Sequence, residues 1–302
     1  MKQNKLFILN PDKYLLPSYL LSPFNTAYIS TNATATTHEV AKAYMEKRFK
    51  DRFYYICRNG RQAIDVSLKA CALRSKDNIT ILTTSGNRYI SKCVTDTIER
   101  YCQWSRRMMP QTKIIFVNHE FGYECKTSPK INKEKVIIED YAYSFFLNEN
   151  VAYSADYAIY SLPKVFPMQT GGILVTKKAL ASPPEIHEHE RNYILSCMSK
   201  YIADIPHIVA KRLANCRYLA KELKSIGIQP FFDINNSVPG VFLFYTLKGI
   251  HLEKFKTYMN AHGIQSSVFY GQNAYFIPVH QNLNKYDLDY FVEVIKNYKN
   301  NE

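Results

Sequence analysis

The chain has 302 residues, 46% hydrophobic and 22% charged, with a formal net charge of +13. This composition excludes a disordered or low-complexity protein, and the length suits one large domain plus a smaller one better than a single core. The basic residues lie scattered among Asp and Glu. Their densest stretch, Lys47, Arg48, Lys50 and Arg52 interleaved with Phe49 and Phe53, reads as a solvated helix end or an anion-attracting surface. No recognised nucleic-acid module accompanies it.

In chain order, the segment Met1–Asp12 carries too short an apolar run for a signal peptide, and no later stretch reaches membrane-spanning length. Tyr54–Cys57 reads as a strand. It is followed by the turn Asn59-Gly60 and a helix with Ala63, Ile64, Leu68, Cys71 and Ala72 on one face. Ile79–Leu82, Lys113–Val117, Val136–Ile138, Ala158–Tyr160 and Ile173–Val175 read as buried strands, with a helix starting over Cys93–Tyr101. Such alternation predicts a mostly parallel sheet flanked by helices, over residues 1–182 with the N-terminal arm. Near Pro183-Pro184 the texture changes. A long helix over Ile208–Ile226 stops at Gly227, Val241–Tyr245 is a strand, and Leu252–Ala261 is a helix ended by Gly263. A strand at Ala274–Ile277 and a helix over Tyr286–Tyr298 complete a small α+β domain, residues 183–302. The seven cysteines are odd in number and lack a C-x-x-C. They argue against a disulfide frame or structural zinc, and for a reducing, cytoplasmic setting without a metal.

Three segments carry chemistry. In Val136-Ile-Ile-Glu-Asp140-Tyr-Ala-Tyr143 an apolar strand runs into a carboxylate, where open α/β sheets place ligands. Asp140 either caps the next segment or keeps a heteroaromatic ring nitrogen protonated, with the Tyr143 hydroxyl beside it. Lys164, 24 positions on, follows a strand and precedes Gly171-Gly172. It is either a surface lysine or one placed for Schiff-base chemistry, with Ser161 offering a hydroxyl to a phosphate. Asn59-Gly60-Arg61 is a plain strand–helix connection or an anion nest at a helix start. Arg88, His119 and His280 could line a site or serve as ordinary structural residues.

Taken in order, these segments resemble fold-type I enzymes of pyridoxal 5'-phosphate (PLP), and more closely the DegT/StrS sugar-nucleotide aminotransferases. The phosphate turn reads Asn59-Gly60-Arg61-Gln62-Ala63-Ile64. The His-x-Phe/Tyr-Gly strand end reads His119-Glu-Phe-Gly122, and Ile-Glu-Asp-x-Ala reads Ile138–Ala142. The family's lysine precedes a Gly-Gly by seven positions, as Lys164 precedes Gly171. Tyr143, and Ser161 three before the lysine, follow the aspartate aminotransferase pattern instead. The chain is short and divergent for the family: Arg88-Tyr89 stands where a threonine and a ring-stacking aromatic are usual, and Arg191-Asn192-Tyr193 matches the Asn-rich segment poorly.

The resemblance implies a PLP-dependent aminotransferase in which Lys164 and Asp140 are catalytic. Asn59, Gly60, Arg61, Tyr89, Tyr143 and Ser161 complete the cofactor-binding set. It further implies an amino-acid donor such as glutamate, a nucleotide-linked keto-sugar acceptor and a homodimer with the site at its interface. Neither nucleic acid nor membrane is an expected partner. Two other readings stay open from sequence: another PLP reaction such as sugar dehydration, and a catalytically degenerate binding protein.

Overall fold

The structure, a computed structural model, describes residues 17–126, 135–146, 155–235, 237–246 and 249–300. It falls into two compact units, one spanning Phe24–Ile205 and the other the described residues before and after that span.

The first unit contains α1 (Tyr28–Ala33), α2 (Glu39–Arg48), β1 (Phe53–Cys57), α3 (Gly60–Ala70), β2 (Asn78–Thr83) and α4 (Lys92–Ile98). There follow β3 (Gln103–Ser105), β4 (Thr112–Asn118), β5 (Val136–Asp140), β6 (Tyr157–Ser161), β7 (Gly172–Thr176) and α5 (Glu188–Tyr201). The seven strands form one sheet in the order β1-β7-β6-β5-β4-β2-β3. β3, β2, β4, β5 and β6 run parallel, and β7 is antiparallel to both β6 and β1. The sheet core follows from strand alternation: Ile79, Ile81, Ile114, Phe116, Ile138, Ile159 and Leu174 share one cluster with Ala63, Ile64 and Leu68 of α3. Ile115 and Val117 pack on the opposite face.

The second unit holds α6 (Ile205–Lys224), β8 (Gln229–Pro230), β9 (Phe242–Tyr245), α7 (Leu252–Ala261), β10 (Ser267–Val268), β11 (Ala274–Ile277) and α8 (Lys285–Asn300). Its four strands are antiparallel in the order β10-β11-β9-β8. Leu219 and Leu223 of α6, Phe255 and Met259 of α7, and Phe291 and Ile295 of α8 pack with Phe242, Phe244 and Tyr275.

The fold is the α/β architecture expected, and it differs from the expectation in detail. The first unit continues past residue 182 because α5 packs on α1, α2 and β1. That helix escapes the periodicity because Ile194–Met198 is buried as one unbroken run rather than at helical spacing. Ala72 leaves the predicted buried face: α3 ends at Ala70, and Ala72 is exposed with φ 47°. Arg48 is not on a solvated helix end. It is 6% exposed, donating to the Phe145 carbonyl and, at 2.9 Å, to the Tyr44 hydroxyl, with its guanidinium 4.2 Å from the Phe145 ring. Aromatic faces and these acceptors replace the water that a buried cation gives up.

Candidate active site

The chemistry-bearing segments gather on one edge of the large sheet. β1, β2, β4, β5 and β6 share a direction, and the loops leaving their C-terminal ends carry Asn59–Arg61, Thr84–Ile90, His119–Gly122, Asp140–Tyr143 and Ser161–Lys164. This is the edge at which open α/β sheets hold ligands.

The cradle is built from the turn after β1 and the ends of β6 and β7. Asn59 caps α3, its Oδ1 accepting from the Gln62 amide at 2.9 Å, while Gln62 Oε1 accepts from the Arg58 amide at 2.7 Å. The Arg58 carbonyl accepts from the Gly171 amide and from Thr170 Oγ1, both at 2.6 Å, which stitches the Gly-Gly turn to the start of α3. Gly172 has to be glycine: a Cβ there would lie 2.7 Å from the Asn59 carbonyl carbon and 3.0 Å from the Gly60 nitrogen. A Cβ on Gly60 would meet the Ser161 Cβ at 3.4 Å, so the turn and Ser161 are neighbours. The first-turn amides of Gly60 and Arg61 have no acceptor among the described residues, and donors of this kind at a helix start suit an anion.

Beside the cradle, Lys164 closes a short 3-10 turn, Leu162–Lys164, that follows β6 directly. Its Nζ donates to the Tyr143 hydroxyl at 3.0 Å and lies 4.7 Å from that ring's centroid. Tyr143 is the main cause of an ammonium pKa raised above the ordinary lysine value, with Cys93 and Asp140 adding to it against desolvation. The tyrosine thus outweighs burial. Asp140, at the end of β5, is 6% exposed, and burial pushes its carboxyl up to about 6. The Ala142 amide, 2.9 Å from its Oδ1, and the Lys164 charge pull the other way.

The remaining predicted residues are placed as follows. Arg61 is exposed and donates to Cys93 Sγ at 3.2 Å, a neighbour that sequence reasoning did not single out. Tyr89 lies in the loop after β2 and is 43% exposed. Its neighbour Arg88 is exposed too. Arg191-Asn192-Tyr193 lies inside α5. His280 belongs to the other unit, where its Nε2 meets the Leu20 carbonyl at 3.0 Å.

His119 and Phe121 flank the site. The His119 ring stacks on Tyr141 at 4.2 Å, and its Nδ1 accepts from the Cys125 amide at 3.0 Å. That places the proton on Nε2, which is buried with no partner among the described residues. Desolvation lowers the His119 pKa to about 4. Phe121 has a left-handed backbone, φ 55° and ψ 23°, and its ring sits 5.6 Å from that of Tyr143.

A family model described as "Putative PLP-dependent aminotransferase" matches residues 44–219, more than half of the chain. The chain belongs to this PLP-dependent aminotransferase family. No curated protein matches it. Solved structures share its fold at low identity. TlmJ, an aminotransferase from Streptoalloteichus hindustanus, is 11% identical with a TM-score of 0.68, over 87% of this chain and 91% of its own. NtdA from Bacillus subtilis, with bound PMP, is 14% identical with a TM-score of 0.67, over 96% and 87%. The sugar aminotransferase CalS13 from Micromonospora echinospora is 14% identical with a TM-score of 0.64, over 94% and 99%.

The geometry fits a PLP-dependent transferase. A buried carboxyl held near pH 6 is an acceptor in want of a cation, which a protonated pyridine nitrogen supplies. The unused amides of Gly60 and Arg61 beside Ser161 suit a phosphate. Among the described residues no three His, Cys, Asp or Glu side chains cluster as metal ligands. No helix there is long and apolar enough to cross a membrane.

Proposed function

We propose that the chain transfers an amino group from an amino acid, glutamate being the donor of choice, to a keto-sugar carried on a nucleotide. The observation that carries this reading is the Lys164 Nζ, 3.0 Å from the Tyr143 hydroxyl, at the strand edge shared by Asp140 and the Asn59-Gly60 cradle. The sugar aminotransferase named among the structural relatives supports the acceptor class.

Lys164 would hold the cofactor covalently, and its amine is placed to take up a proton as general base and return it as general acid. Bound PLP supplies the electron sink that makes this proton mobile. Asp140 would keep the ring nitrogen protonated, and Tyr143, which holds the Lys164 amine, would also support the ring's oxygen. The amides of Gly60 and Arg61, with Ser161 Oγ, would hold the phosphate; Asn59 fixes the turn that presents them, and Arg61 would add charge at its rim. Tyr89, in the loop after β2 at the same sheet edge, would be the aromatic that covers the ring. We place the enzyme in the cytoplasm as a homodimer whose interface completes the site.

Incubation with PLP should give a yellow protein with a borohydride-reducible adduct on Lys164, absent from Lys164→Ala. Glutamate should then bleach the colour and release 2-oxoglutarate. A colourless wild type with no adduct would overturn the cofactor assignment, and a coloured protein inert to every amino acid would overturn the transamination.

A further inference from the structure

Phe121 is the strained residue at the site edge. Three non-glycine residues among those described have positive φ, and Phe121 alone of them lies in a loop at that edge. An aromatic side chain pays for the left-handed region in steric strain, so the conformation persists where its surroundings impose it. Here they do. Glu120 N donates to Thr84 Oγ1 at 3.0 Å, Ser85 N to Glu120 Oε2 at 2.7 Å, and Thr84 Oγ1 to the Tyr123 carbonyl at 2.7 Å. Tyr123 N closes back on the Glu120 carbonyl at 2.9 Å, and Gly122 continues the reversal with φ 97°. The turn is thus pinned to the loop after β2 on both sides of Phe121.

Core packing does not explain the choice of phenylalanine, because its side chain is only half-buried. A glycine would make the same turn without strain. What the phenyl ring adds is a tilted contact, 5.6 Å and 48°, with Tyr143, whose hydroxyl meets Lys164. Among the described residues it is the aromatic neighbour of Tyr143.

We propose that Phe121 is a positioning residue: the strained turn after β4 presses its ring against Tyr143 and thereby sets the Tyr143 hydroxyl on the Lys164 amine. Tyr143, Cys93 and Asp140 favour the charged form of Lys164, Tyr143 most, and Phe121 reaches Tyr143. Without the ring, Tyr143 is free to turn about its side-chain bonds, and Lys164 loses the contact that holds its proton. The inference takes its meaning from Lys164 being the cofactor lysine, but its test needs no cofactor.

That test is competitive acetylation of the cofactor-free protein across pH, read at Lys164 by peptide mass spectrometry. Tyr143→Phe should move the labelling profile of Lys164 to lower pH. Phe121→Gly should move it the same way by about half a pH unit, roughly threefold in the unprotonated fraction. The double variant should move no further than Tyr143→Phe alone, since Phe121 acts through that residue. Phe121→Leu repeats the test in a side chain of near-equal bulk should the glycine variant not fold, and Phe121→Tyr should restore the wild-type profile. Because strain is relieved, Phe121→Gly should melt within about 2 °C of wild type. An unchanged Lys164 profile in both Phe121→Gly and Phe121→Leu, or shifts that add to that of Tyr143→Phe, would overturn the proposal. PLP absorbance, followed in parallel, reports on the cofactor assignment separately: a protein that never colours sinks that assignment and leaves the labelling result standing.

Discussion

Replacing Gly172 with alanine puts the cradle to a quantitative test. The new Cβ would stand 2.7 Å from the Asn59 carbonyl carbon and 2.8 Å from its oxygen. Carbon contacts relax only at about 3.5–4.0 Å, so β7 and the turn after β1 must part by roughly 1 Å. Both clashing atoms are backbone, which cannot rotate away. Overpacking of this kind costs about 1–3 kcal/mol, or about 3–10 °C of melting temperature for a protein of this size. The displaced turn also drags the Arg58 carbonyl from its two donors, Gly171 N and Thr170 Oγ1. Losing one charge-assisted bond to a cofactor phosphate removes about 1.5–3 kcal/mol, roughly 10- to 100-fold in the Kd for PLP. Gly60→Ala is the control. Its Cβ would meet Ser161 Cβ at 3.4 Å, an ordinary contact, so the fold should keep its melting temperature within about 2 °C. Thermal melts followed by circular dichroism and PLP titrations by absorbance separate the two. A Gly172→Ala protein that melts and loads PLP like wild type would refute the claim that this close approach shapes the phosphate turn.

Two further predictions concern pH. The Asp140 carboxyl is raised from 3.8 to about 6, so the folded chain binds its proton more tightly than the unfolded chain. The stability this contributes is present at low pH and lost as pH rises through 6, where the buried charge costs ~3 kcal/mol. Cofactor-free Asp140→Asn should therefore unfold at higher urea than wild type at pH 7.5, with the advantage fading by pH 4; equal midpoints at both pH values would contradict it. His119 works in the opposite sense, its pKa falling from 6.5 to about 4 on burial. Stability should drain away by up to ~3 kcal/mol as pH falls through that window. His119→Phe, which keeps a ring to stack on Tyr141, should flatten this acid limb in urea unfolding at pH 4.5 against pH 7; an unaltered limb would show that the histidine is not its source.

Local sequence determined the parts whose physics is local. Apolar strands ending in turn residues placed β1, β2, β4 to β7, β9 and β11. The Asn59 cap and Gln62 begin α3, Gly263 ends α7 as predicted, and the order Asp140, Lys164, Gly171-Gly172 marked the strand ends to compare. Elements stabilised by neighbours rather than by their own pattern were not legible. The three-residue edge strand β3 and the two-residue strands β8 and β10 are too short to show a period, and α5 buries Ile194–Met198 as one unbroken run rather than at helical spacing. The same division runs through the site. Residue types and spacing nominate Lys164, Asp140 and Ser161, because the chemistry demands those groups near strand ends. Only the tertiary structure brings the Tyr143 hydroxyl to 3.0 Å from Lys164, turns Arg61 onto Cys93 and buries Asp140 until its carboxyl holds a proton near pH 6. Distances and dielectric depend on which strands lie side by side, and the register across β4, β5, β6 and β7 puts Phe116, Ile138, Tyr157 and Thr176 in one row, residues up to 60 positions apart. Strain is decided there too: φ 55° at Phe121 exists because Thr84 and Ser85, more than 30 residues upstream, hold the turn in place.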